Sequence, residues 1–195
     1  MKRVNCGGDF DGAPAGGTTD RAGMMKTIVE EFARKVPALQ AGVSDTADGA
    51  DIVLRLIDEK NFRGALVASF GTKIARDFIR KTDPQCMTAL QANENGIANA
   101  ATSLIIVDRG DLVFLDCAYH ELLHAFGLLN HDQTNRFTTL NQNRQVGYLT
   151  AYDRALLTLL YDARIRPGMT QRQVRMLVPQ LIRDLPQAAA LKPGG

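Results

Sequence analysis

The sequence predicts a single α+β domain: a small mixed sheet, a helix carrying a histidine pair, and further helices toward the C-terminus. Three observations lead there. Apolar residues recur at helical spacing over residues 22–36, 111–126 and from 150 onward, whereas the short β-branched runs DIVLRLID from Asp51 and TSLIIVD from Thr102 read as strands. All three histidines of the 195-residue chain fall within twelve residues, HELLHAFGLLNH, from His120 to His131. Hydrophobic residues make up 45% of the chain, with no shift in composition to mark a second core. The domain is placed at residues 1–186, followed by a disordered tail at 187–195.

Taken in order, residues 1–17 are rich in Gly and Asp and read as loop or a short edge strand. The first helix carries Met24, Met25, Ile28, Val29, Phe32 and Val36 on one side, and Pro37 stops it. The run from Asp51 is the first clear strand, ALVASF from Ala65 the second, and the run from Thr102 a third, more deeply buried one. Between them residues 73–81 form a short helix and 96–100 an edge strand. The histidine helix extends from 111 or 112 to 126, with Leu122, Leu123 and Phe126 packed inward so that His120 and His124 face a cleft. Thr150 with Asp153 opens the next helix, whose apolar face is Leu156, Leu159 and Leu160. Thr170 with Gln173 opens the last, which carries Val174, Leu177, Val178, Leu181, Ile182 and Leu185 at helical period, with Pro179 as a kink.

The chemistry concentrates in the histidine segment. His120 and His124 are four residues apart, so on a helix both imidazoles project from one face toward one tetrahedral ion. Glu121 beside them is the residue that accepts a proton from the attacking water in an HExxH arrangement, without binding metal itself. Gly127 permits a left-handed helix end that returns the chain toward the ion with a third ligand. Candidates are His131, Asp132 and Asn130, in that order, because neutral imidazole suits Zn2+ far better than a carboxamide oxygen. A downstream glutamate ligand is excluded, since no Glu follows Glu121.

The segment resembles the metzincin signature HExxHxxGxxH of the zinc-peptidase clan that includes astacins, matrixins and snapalysins. That spacing places the third ligand at Asn130, one residue before His131 and two before Asp132. Metzincins follow the zinc helix with a methionine-containing turn, and Leu140 stands at that place, an apolar substitution of similar volume. Tyr148 falls near the position of a tyrosine that assists the zinc in astacins, and reads equally as a core aromatic with its hydroxyl at the surface. An edge strand over the cleft pairs with extended substrate in that clan, by β-augmentation; by position, residues 96–100 either take this role or form a plain structural strand. Residues 50–175, including the cysteine before the zinc helix and the segment YDARIRPGMT, most closely resemble DUF2927, a bacterial family of predicted exported proteins with histidine-free members.

The resemblance implies a metzincin-like zincin domain that hydrolyses a peptide or protein substrate with Zn2+ as cofactor and Glu121 as general base. The alternative is a non-catalytic zinc-binding or interaction domain of the bacterial envelope. On the residues alone, Cys86 and Cys117 are either bridged or two buried thiols; the resemblance favours a disulfide, with Cys6 left over. A bridge suggests a periplasmic or secreted protein, while a cytoplasmic one stays open because the first thirty residues hold no apolar signal core. With 23 basic and 21 acidic residues the chain shows no nucleic-acid footprint, and its apolar runs are too short to span a membrane. A monomer is expected.

Overall fold

A computed structural model of the chain describes residues 1–6, 19–81, 85–94 and 97–185. The elements are β1 (Lys2–Asn5), α1 (Arg21–Lys35), a 3-10 turn (Pro37–Leu39), β2 (Ala41–Ser44), β3 (Ile52–Ile57), α2 (Glu59–Phe70), α3 (Thr72–Lys81), β4 (Cys86–Ala92), β5 (Ala98–Ile106), α4 (Asp111–Ala125), α5 (Ala151–Leu160) and α6 (Gln171–Asp184). The five strands form one sheet in the order β2-β1-β3-β5-β4. All neighbours are parallel except β4, which runs antiparallel to β5 at one edge.

Strand alternation separates two apolar layers. Ile52, Leu54 and Leu56 of β3, with Ala101 and Ile105 of β5, face α1 and α4 in the main core. Ile57, Leu104 and Ile106 face the other way, under Phe62 and Leu66 of α2 and Ala75 of α3. Helix α4 is locked to α1 by aromatic and polar contacts. The Phe32 ring lies 5.8 Å from Tyr119 and 5.4 Å from Phe126, and the Tyr119 hydroxyl donates to Glu31 Oε2 at 2.5 Å. Arg21 donates to the Val107 carbonyl and Asp111, and stacks over Phe114. Full burial of rings such as Phe32 and Phe126 contributes about 2–3 kcal/mol each. The helix is therefore a rigid platform.

Several expectations are corrected. Residues 65–70 are the second half of α2, not a strand. Phe62 and Leu66, one helical turn apart, are its buried residues, and the short run ALVASF hides that period. The edge strands are β2 and β4, while residues 98–100 begin β5, an inner strand, and residue 96 lies outside the described residues. Residues 2–5 form β1 between β2 and β3, so they are neither loop nor edge; of residues 1–17, those from 7 on lie outside the described residues, as does the tail at 187–195. In α5 the fully buried leucine is Leu157, with Leu156, Leu159 and Leu160 only half-buried. In α6 only Leu181 is buried and Ile182 is exposed, although the Thr170–Gln173 capping box forms as expected and Pro179 lies inside the helix.

Candidate functional site

Helix α4 runs from Asp111 to Ala125 and ends in a Schellman turn. Gly127 at φ +105° donates to the His124 carbonyl at 2.9 Å, and Leu128 donates to the Leu123 carbonyl at 3.0 Å. A side chain at 127 would be strained by that φ and would meet Leu160 at 3.3 Å. The turn sends the chain back across the helix face and delivers His131 to the other two histidines.

The three Nε2 atoms form a nearly equilateral triangle: His120 to His124 3.0 Å, His120 to His131 3.0 Å, His124 to His131 3.1 Å. His120 Nδ1 lies 2.9 Å from the Thr139 carbonyl and His124 Nδ1 lies 2.7 Å from the Leu128 carbonyl. A carbonyl only accepts, so each Nδ1 carries the hydrogen and, in the neutral ring, each Nε2 carries a lone pair. Burial holds the His120 pKa down to about 4, with the other two rings lowering it further against the Thr139 carbonyl, and lowers His124 and His131 as well. Lone pairs facing one another at 3.0 Å can share a cation. Two nitrogens about 2.0–2.1 Å from a tetrahedral zinc lie about 3.3 Å apart, a few tenths of an ångström more than here. The donor set fits a metal ion.

Glu121 points into the same cavity. It is 3% exposed, and its Oε2 has no hydrogen-bond partner. Burial pushes its carboxyl up to about 8; the Thr88 hydroxyl counters this and the charge of Asp116 adds to it. Thr88 on β4 donates to the Glu121 carbonyl at 3.2 Å and contacts Ser103 at 2.6 Å, binding the edge strand to α4. The Cys86–Cys117 disulfide makes the same connection covalently, with Cα atoms 5.8 Å apart, while Cys6 is a buried free thiol held up to about 11 by burial. The cavity measures about 450 Å3 and runs between β4 on one side and residues 141–144 on the other, with all three histidines, Glu121 and Asp116 in its lining.

The remaining sequence-derived candidates fall elsewhere. Asp132 is exposed, and its carboxylate accepts from Thr134 N–H, Thr134 Oγ1 and Asn135 N–H, which lowers its pKa and spends it on the turn. Asn130 is exposed and is not among the described residues that line the cavity. Leu140 is buried in the main core, and its carbonyl accepts from Asp132 N–H at 3.2 Å, tying the His131 loop to the following turn. Tyr148 is 61% exposed and also outside the cavity lining; its carbonyl accepts from Thr139 Oγ1.

Sequence reasoning missed the scaffold around the histidines. Asp153, fully buried, accepts from Thr138 Oγ1 at 2.5 Å, Thr139 N–H at 2.8 Å and Thr150 Oγ1 at 2.8 Å, and so holds the segment whose carbonyl meets His120. Its one sequence signal, the capping pair with Thr150, reads only as a helix start. Asn141, 3% exposed, donates to the Gln133 and Asn135 carbonyls across the His131 loop.

Sheet, helix and loop together define an α+β protein with a helix-borne three-histidine cluster able to hold a metal ion. The chain belongs to the DUF2927 family, described as a protein of unknown function, whose family model matches residues 13–180. No curated protein and no solved structure matches it. No helix among the described residues is long and apolar enough to cross a membrane.

Proposed function

We propose that this chain is a zinc-dependent peptidase of metzincin-like build. The observation that carries the reading is the convergence of three neutral imidazole Nε2 atoms, 3.0–3.1 Å apart, beside the buried carboxylate of Glu121, whose Oε2 has no hydrogen-bond partner. His120, His124 and His131 would hold the ion, and three protein donors rather than four is the count of a catalytic site. Bound zinc supplies Lewis acidity toward water and toward a carbonyl oxygen.

The chain's own residues do the rest. Glu121 takes a proton from the attacking water and returns it to the leaving amine, and its raised basicity matches work near neutral pH. The Thr139 and Leu128 carbonyls keep both helical imidazoles in the tautomer that presents Nε2. Strand β4 has a strand neighbour on one side only and borders the cavity, so an extended peptide can add along its open edge.

The test is a broad peptide library presented to zinc-loaded wild type and to Glu121→Gln. Cleavage by the wild type, with loss of hydrolysis but retention of zinc and fold in the variant, is the expected result. Zinc-loaded wild type that cuts nothing would replace the reading with a non-catalytic zinc-binding or interaction domain.

A further inference from the structure

We infer that Asp116 makes the cavity beside the histidines a subsite for a basic side chain, so that the ligand presents lysine or arginine there. The word substrate, where used below, rests on the hydrolytic reading; recognition of the cation does not.

Asp116 precedes His120 by four residues and His124 by eight, so all three share one face of α4. Four residues of helix separate the Asp116 and His120 backbone positions by about 6 Å along the axis, a span comparable with the reach of a four-carbon stem. Its Oδ1 accepts the Val146 N–H at 2.5 Å, which fixes the group, and the residue lines the cavity. No Lys or Arg among the described residues forms an ion pair with it. Arg144, in the same lining, is exposed and its side chain makes no salt bridge to Asp116. One backbone donor therefore stands against a half-buried carboxylate.

The surroundings suit the rest of such a side chain. Met87, Phe78 and the Cys86–Cys117 disulfide line the same cavity, and methylene stems pack against apolar walls while their charged heads seek a polar partner. An ammonium or guanidinium reaching Asp116 gains a charge-assisted hydrogen bond at a half-buried site. A neutral side chain would dehydrate Asp116 without compensation, and an acidic one would meet Asp116 as a like charge. Burial already raises the Asp116 carboxyl against the opposing Val146 hydrogen bond, which agrees with an undercompensated charge.

The experiment titrates the full zinc-loaded chain, followed by NMR, with N-acetyl-arginine amide, N-acetyl-lysine amide, N-acetyl-norleucine amide and N-acetyl-glutamate amide, and repeats the series on Asp116→Asn. The asparagine keeps an acceptor for Val146 N–H, and unchanged thermal unfolding verifies that the fold is kept. The expected result is that the two cationic probes bind wild type at least about tenfold more tightly than norleucine or glutamate, and that Asp116→Asn removes the difference. This arm needs no catalysis and, for the wild-type comparison, no variant. Equal binding of arginine and norleucine, or a preference that survives in Asp116→Asn, would overturn the inference. The peptide library separates it from the hydrolytic reading. Cleavage without preference for basic residues leaves hydrolysis standing and removes the subsite. Asp116-dependent binding of cations without any cleavage keeps the subsite and removes hydrolysis.

Discussion

His120 donates its Nδ1 hydrogen to the carbonyl oxygen of Thr139, 2.9 Å away, and so its orientation is set by a loop nineteen residues downstream. That loop is in turn held by Asp153, whose two carboxylate oxygens accept from Thr138, Thr139 and Thr150. The chain of contacts ends in α5, on which Asp153 sits. The histidine cluster is thus supported from both ends: by the helix that bears it and by the N-terminus of the next one.

Asp153→Ala should therefore do two things. It leaves three donors buried without an acceptor, which costs about 3 kcal/mol or more. It also frees the Thr139 carbonyl and weakens metal binding by about 10- to 100-fold, the range for outer-shell partners of a ligating imidazole. Chemical denaturation and competitive zinc titration measure the two effects. Unchanged zinc affinity in a folded Asp153→Ala protein would show that Thr139 does not orient His120.

The third donor can be ranked by the same titration. His131→Ala should lower zinc affinity by orders of magnitude, because only His131 supplies a third Nε2 to the cluster. Asp132→Ala should leave most of it, since that carboxylate is committed to Thr134 and Asn135, and Asn130→Ala should leave it too. Loss of zinc in Asp132→Ala with retention in His131→Ala would mean the loop rearranges around the ion. The double variant His120→Ala, His124→Ala should bind none.

The Cys86–Cys117 bridge closes a loop of 31 residues that contains β5, the sheet neighbour of β4. The chain-entropy model gives such a closure about 3–4 kcal/mol. Replacing both cysteines by serine should lower stability by about that amount, and because the sulfurs border the cavity the loss should be accompanied by a looser edge strand, seen as faster amide exchange in residues 86–92. Non-reduced peptide mapping should find the 86–117 bridge with Cys6 as the single thiol. A stability unchanged by the double substitution would refute the role given to the bridge.

The parts of this architecture that were legible in the sequence share one property: their signal is local. The i, i+4 histidines, Gly127 at a left-handed helix end, the Thr150 and Thr170 caps and the α1 stripe from Met25 to Phe32 each involve residues within a few positions. What was misread depends on distant partners. Residues 65–70 look strand-like because the run is short and mostly apolar, and packing of Phe62 and Leu66 under β3 and β5 makes it helix. Residues 2–5 gain their place from pairing with residues 41–44 and 52–53, which no local pattern announces. Asp153 shows in the sequence only as the partner of the Thr150 cap and Asp116 carries no local signal, because the Thr139 and Val146 amides that occupy them are fourteen and thirty residues away.

The last prediction concerns the junction between α1 and the histidine helix. Burial alone would raise the Glu31 carboxyl, but hydrogen bonds from Lys35 and Tyr119, with the charges of Lys35 and Arg34, outweigh it and leave its pKa below the ordinary 4.5. A carboxylate whose folded pKa is depressed contributes stability that is present above its unfolded value and is lost as pH falls through the folded one. Glu31 therefore stabilises the α1–α4 contact above pH 4.5 and less below it. Tyr119→Phe keeps the stacking on Phe32, 5.8 Å between ring centres, and removes only the hydroxyl that reaches Glu31. The variant should lose about 1.5–3 kcal/mol at pH 7, as expected for a hydrogen bond to a charged group. Wild type and variant should then converge as pH drops below 4.5, because protonation of Glu31 removes the interaction that distinguishes them. Acid unfolding of either protein also draws on other carboxylates, Asp162 among them with its pKa held down to about 2 by Arg164, so the difference between the two proteins is the quantity to follow. Urea titrations at several values from pH 7 down to pH 3 give it directly, and a difference that stays constant across that range would place the contribution of Tyr119 in packing rather than in the bond to Glu31.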